Sequence, residues 1–321
     1  MALDDREMLA MLAPEYRAYV EWLRAQGWPP LDKHTVPDAR ARMRQMQQGD
    51  VSGYAVRVER HAIDAFSVQI VRPSGVEGPL PVIVYYHGGG WVLGDFDTHG
   101  RMAREIAVQS RAAVVFVEYA RAPEAQFPVA LEQCYRAVTW VAEQGSAVGL
   151  DAARIAVAGD SAGGNLATAV AMLAVERGGP QIRLQALLYP VTDCGFTTRS
   201  YRDFESGLNL DAPAMRWFWN HYAPDEAART QPLASPLRAS LDRLNGLPAA
   251  LVITAECDVL RDEGEAYARK LASAGVPVTT VRFSGVLHAF MMVDQLAQER
   301  QAASAMRLLA TELRQAFSET R

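Results

Sequence analysis

The chain has 321 residues, of which 50% are hydrophobic and 21% charged, with a formal net charge of −5. That is the balance of an ordinary globular protein with a large apolar core, and it excludes a chain dominated by disorder. Acidic and basic residues are mixed, and no basic run is present to neutralise phosphates, so nucleic acid is not an expected partner.

The opening residues Met1 to Glu7 are acidic and lack the basic flank and apolar stretch of a signal peptide, and no apolar run reaches membrane-spanning length. A cytoplasmic protein without stable membrane association is the expectation. Residues 1–48 read as helical, with Leu12, Tyr16, Tyr19, Val20 and Leu23 on one face and Trp28, Pro29 and Pro30 ending it. Eight candidate strands follow: Tyr54 to Val58, Phe66 to Val71, Val82 to Tyr86, Val114 to Val117, Ile155 to Ala158, Leu184 to Tyr189, Leu251 to Thr254 and Val278 to Phe283. From the third onward helical spacing intervenes, as in Phe127 to Glu143, Ala162 to Glu176, Asp262 to Ala274 and Gln295 to Phe317. Such alternation predicts an α/β fold with a mostly parallel eight-stranded sheet flanked by helices, the first two strands forming an antiparallel edge. The stretch from Cys194 to Thr230 breaks the alternation with an aromatic-rich helix capped by Asp211. It and the N-terminal segment are expected either to cap the carboxyl edge of the sheet, where open α/β sheets bind ligands, or to pack behind it. The cap reading divides the chain into a first cap segment (1–48), core (49–193), second cap segment (194–230) and core again (231–321). Cys134, Cys194 and Cys257 are odd in number and scattered, which indicates neither disulfides nor a metal site.

Chemistry concentrates in three places. Gly159-Asp160-Ser161-Ala162-Gly163 joins a predicted strand to a predicted helix, and a strand-to-helix turn of G-x-S-x-G form holds a serine hydroxyl out above the sheet. His87-Gly88-Gly89-Gly90-Trp91 follows the third strand. Its backbone carries no Cβ atoms to block approach, so the N–H groups of Gly88 and Gly89, with that of Ala162, are expected to form an oxyanion hole. A serine nucleophile needs a base and the base a carboxylate, in the chain order Ser, Asp or Glu, His. Asp258 and His288 fall past the last two strands. Glu256, Asp262 and Glu263 compete with Asp258. Of the other histidines, His34, His61, His99 and His221 read as ordinary polar residues and His87 as a support for the glycine loop.

With these motifs the chain resembles the hormone-sensitive-lipase-like esterases, bacterial family IV of the α/β-hydrolase superfamily. The likeness runs through HGGGW (His87 to Trp91), YARAPE (Tyr119 to Glu124), FP (Phe127 and Pro128), GDSAGG (Gly159 to Gly164), DVLRDEG (Asp258 to Gly264) and HAF (His288 to Phe290). It implies that Asp258 is the acid of a Ser161–His288–Asp258 triad and that the helical segments form a cap. It also implies preference for short- to medium-chain acyl esters, no metal or cofactor, and frequent homodimers. Ala120, Val259 and Ala289 depart from the family's usual leucine, proline and glycine. Trp91, Leu208, Trp217 and Phe218 are expected to line the substrate pocket. An amidase or formamidase with the same triad is the nearest rival, and a ligand-binding homologue with a disabled site is the rival from another class.

Overall fold

The computed structural model describes residues 3–319, so the outermost two residues of the expected first cap segment and of the expected last core segment lie outside it. One eight-stranded sheet organises the chain. Its strands are β1 (Val56–Ile63), β2 (Phe66–Pro73), β3 (Leu80–Tyr86), β4 (Ala113–Glu118), β5 (Leu150–Asp160), β6 (Leu184–Leu188), β7 (Ala249–Cys257) and β8 (Val278–Leu287), in the order β1-β2-β4-β3-β5-β6-β7-β8. β1 and β2 pair antiparallel, as do β2 and β4, and every later pair is parallel. Strands β3 and β4 are apolar on both faces because helices cover both, so their runs do not alternate. β1, on the edge, is half-buried or exposed along its length and buried only at Ile63.

The helices are α1 (Asp5–Met11), α2 (Pro14–Ala25), α3 (Val36–Met46), α4 (Phe96–Ser110), α5 (Val129–Gln144), α6 (Ala162–Glu176), α7 (Arg199–Asp203), α8 (Ala212–Tyr222), α9 (Glu226–Arg229), α10 (Leu241–Leu244), α11 (Arg261–Ser273) and α12 (Arg300–Ser318). α4 packs on α12, and α5 packs on α6. α12 is amphipathic: Ala302, Met306, Leu309, Leu313 and Phe317 recur at helical spacing on its buried side. α6 is different, being apolar almost all round and buried along its first thirteen residues, from Ala162 to Ala174. It is the central helix of the molecule, and its N-terminus follows Ser161 directly.

Both strands that deliver the expected acid and base run further than their apolar cores suggest. β7 ends at Cys257 and β8 at Leu287, so Asp258 and His288 each stand one residue past a strand end. The join between β5 and α6 is closely packed. A Cβ on Gly163 would lie 1.8 Å from the carbonyl oxygen of Tyr86, and one on Gly159 would lie 2.2 Å from that of Gly163. Neither neighbour is a flexible side-chain tip that can swing away; both are backbone. Gly163→Ala should therefore cost about 3 kcal/mol of stability or more, at the upper end for overpacked cores. A lowered thermal unfolding midpoint and poor soluble yield check this, and an unchanged midpoint contradicts it.

Candidate active site

Ser161 has φ +55° and ψ −118°, a region that a non-glycine residue occupies only under constraint. Backbone hydrogen bonds hold it there: its N–H donates to the Leu188 carbonyl at 2.8 Å, and its carbonyl accepts from Asn165 at 3.1 Å and Val191 at 3.2 Å. The hydroxyl meets His288, whose Nε2 lies 3.0 Å from Ser161 Oγ. On the other side of the ring, Nδ1 lies 2.7 Å from Asp258 Oδ2. The second carboxylate oxygen of Asp258 accepts the Leu260 N–H at 2.9 Å, which fixes the acid, and Asn209 Nδ2 donates to the His288 carbonyl at 2.8 Å. All three side chains are buried. The arrangement is that of a Ser-His-Asp triad, with one ring nitrogen toward the serine hydroxyl and the other toward the carboxylate.

The structure separates Asp258 from its competitors. Glu256 accepts the Gly285 N–H, Asp262 pairs with Arg261 and caps Ser200, and Glu263 accepts the N–H groups of Thr192 and Asp193. Burial raises the Glu263 carboxyl well above the usual carboxylate range, against the pull of those two N–H groups. Cys257, next to Asp258, is buried and its thiol is pushed up to about 12, chiefly by that burial, so it stays a neutral thiol at working pH.

The glycine loop corrects one expectation. The Gly88 N–H is not free, because it donates to Asp160 Oδ1 at 2.9 Å. The N–H groups of Gly89 and Gly90 have no backbone or side-chain acceptor among the described residues, and both glycines line the cavity in front of Ser161. The N–H groups left free in this loop are thus those of Gly89 and Gly90, one residue later than the glycine count suggests. Gly90 has φ +60°, and a Cβ there would strike the Phe218 ring at 2.1 Å.

Asp160 is the residue that sequence reasoning missed. Its buried carboxylate accepts the Tyr85 hydroxyl at 2.6 Å as well as the Gly88 N–H, and His99 Nε2 lies 3.6 Å from its other oxygen. Burial alone would raise its carboxyl, yet His99 and the Tyr85 hydroxyl together hold it below the usual carboxylate range. His99 is therefore not the ordinary polar residue expected: it is fully buried in α4 and faces a charge. His87 behaves as expected of a loop support. It is stacked between Phe116 and Tyr119, its Nδ1 lies 2.8 Å from the Gly88 carbonyl, and burial lowers it to about 3, so it remains neutral. A carboxylate at a buried strand end must have partners, and that was the available signal for Asp160.

The cavity above Ser161 measures about 380 Å³ and is lined by both helical segments, from Tyr19 to Gln47 and from Gly207 to Phe218. Leu208 and Phe218 are on its wall. Trp91 and Trp217 are not, which corrects the other expectation. Trp91 is fully buried behind the loop, with φ +61°, stacked 4.2 Å from Tyr222 and packed on Trp219, and those two rings hold it there. Trp217 packs on Phe218 and His221 on the outer side of α8. A larger groove of about 940 Å³ lies between the β1–β2 edge and the start of α4, but it contains no member of the triad, so size does not mark the site. Among the described residues no group of His, Cys, Asp or Glu has the arrangement of a metal site, and no helix is long and apolar enough to cross a membrane.

A family described by the α/β hydrolase fold matches residues 83–292. The ethyl acetate hydrolase of Pseudomonas putida is 40% identical over 242 residues, covering 74% of this chain and 76% of its own. The carboxylesterase NlhH of Mycobacterium tuberculosis is 39% identical over 260 residues, covering 79% and 81%. A solved thermostable esterase from Pseudomonas putida superposes with a TM-score of 0.94 at 46% identity, covering 96% of this chain and 98% of its own. The chain belongs to the α/β-hydrolase family, in its hormone-sensitive-lipase-like branch. Within that branch it is a serine carboxylesterase.

Asp160 generates a prediction. Asp160→Asn removes the charge that anchors the glycine loop, so kcat on a short p-nitrophenyl ester should fall about ten- to a hundredfold, somewhat less than loss of an oxyanion donor itself, with KM little changed. Steady-state kinetics check this; an unchanged kcat contradicts it.

Proposed function

We propose that this esterase hydrolyses short- to medium-chain acyl esters through an acyl-enzyme on Ser161. The observation that carries the reading is the continuous hydrogen-bonded series from Ser161 Oγ through His288 to Asp258. Ser161 attacks the ester carbonyl while His288 Nε2 takes its proton. Asp258 holds the imidazole by Nδ1 and stabilises the imidazolium as it forms. The N–H groups of Gly89, Gly90 and Ala162 receive the negative charge on the former carbonyl oxygen. His288 then protonates the departing alcohol, and water, activated by the same imidazole, releases the acid. Every proton moves through one ring.

Residues 1–48 and 194–230 act as a cap in this reading, over a core formed by 49–193 and 231–321. Walls that include Leu208 and Phe218 close a small, mainly apolar cavity suited to short chains, and a relative named for ethyl acetate supports the same size class. The partner is a small-molecule ester. A net charge of −5 argues against nucleic acid, and the reading places the chain in the cytoplasm and admits a homodimer.

Ser161→Ala should lower turnover of p-nitrophenyl butyrate by about four to six orders of magnitude, as deletions of a triad nucleophile do. Near-normal turnover defeats the assignment. Rates across acyl lengths should peak at short to medium chains, and a matched anilide should be cleaved far more slowly than its ester. Equal rates on the anilide favour an amidase.

A further inference from the structure

The cavity wall is mostly apolar but holds four charged side chains, and three of them are neutralised or engaged within the protein. Arg24 is held bidentately by Asp5, at 2.6 and 3.0 Å, and donates to the Gly207 carbonyl. Asp160 is satisfied by Tyr85 and Gly88. Asp211 caps α8 by accepting the Ala214 N–H, and burial raises its carboxyl above the usual range, which weakens its charge.

Arg42 is the exception. It lines the same cavity from α3, is half-buried, and has no carboxylate within ion-pair distance among the described residues. Its guanidinium is stacked 4.6 Å from the Trp28 ring. Nη1 donates to the Pro29 carbonyl at 3.0 Å and lies 3.2 Å from His34 Nε2, while Nε and Nη2 find no protein acceptor. A planar fork held on an aromatic face, with its remaining donors unused, is preorganised for a carboxylate. Half-burial excludes part of the water that would otherwise screen it. Keeping a desolvated cation on an apolar wall costs stability, and the cost is offset when an anion arrives.

We propose that Arg42 binds a free carboxylate on the substrate, so that the preferred substrates are esters carrying a second, ionised carboxyl group, with the ester at Ser161 and the carboxylate at the cap. This rests on the Ser161 reading and specifies its substrate class. The carboxylate can belong to the acyl part, as in a half-ester of a dicarboxylic acid, or to the alcohol part, as in an acylated hydroxy acid. Reaction is ordinary hydrolysis: the acyl C–O bond breaks, water supplies hydroxyl to the acyl carbon and a proton to the leaving alkoxide.

The test compares pairs of equal carbon-chain length that differ in a terminal carboxylate against a methyl group. In the acyl arm, the mono-4-nitrophenyl ester of glutaric acid is set against 4-nitrophenyl pentanoate; in the alcohol arm, 4-acetoxybutanoate against butyl acetate. The readout is the anionic-to-neutral ratio of kcat/KM. It should exceed one in at least one arm, and Arg42→Gln should lower it about ten- to a hundredfold, as loss of a charge-assisted hydrogen bond does. Arg42→Lys should restore part of it. In the unaltered protein the same ratio should rise as ionic strength falls from about 0.5 M to about 0.02 M, a readout that needs no variant. A ratio at or below one in both arms, insensitive to salt, or unmoved by Arg42→Gln, overturns the assignment of Arg42 and leaves Ser161 standing. A chain inactive on all four esters overturns both.

Discussion

The arrangement depends on one constraint, the close approach of the β5–α6 turn to the end of β3. Gly159 and Gly163 have no side chains because the Tyr86 carbonyl and the turn's own backbone occupy that space. The turn is therefore as tight as a chain can make it, and Ser161 is left at φ +55° with its hydroxyl raised above the sheet. From there the parallel sheet does the rest. β7 and β8 run beside β5 and β6 in the same direction, so the residues just past their ends, Asp258 and His288, arrive at the same edge. The strain at Ser161 persists because central strands on one side and the most deeply buried helix on the other leave no alternative.

Electrostatics under the site follow a similar economy. Three carboxylates are fully buried near the serine, and each is satisfied differently. Asp258 faces the imidazole, Asp160 binds the glycine loop and a tyrosine, and Glu263 fastens the loop after β6 to α11. Only the first faces the reacting hydroxyl through a proton carrier. Asp160 connects the nucleophile's turn to the glycine loop, so one side chain positions the two against each other. Its hold on Gly88 is also why the free N–H groups begin at Gly89.

Much of this was legible in the sequence, and the failures have physical causes. Continuous apolar runs located β3 to β7, and the motifs brought Ser161, Asp258 and His288 together. The last strand was expected to end at Phe283, yet β8 continues to Leu287: Gly285 sits at φ +71° in a ladder whose register shifts opposite Ala255 and Cys257, so the strand carries an irregularity and goes on past it. The buried face of α4 departs from an apolar stripe, since it carries His99, Arg101 and Glu105, with Arg101 tied to Glu105 and Asp294. The family's usual glycine at Ala289 is explained by the backbone there, which has φ +59°. What a one-dimensional pattern could not say is which N–H of three glycines is already spent, or which tryptophans turn inward. Those depend on partners brought from far along the chain.

The central claim is that Ser161 is the one hydroxyl activated for attack at a carbonyl-like centre. Treating the unaltered protein with a fluorophosphonate and mapping the adduct by peptide mass tests it most directly. The account predicts one phosphonyl group per chain, carried by Ser161, with loss of esterase activity in step with labelling. An unlabelled chain, or an adduct on another residue that tracks the loss of activity, contradicts it.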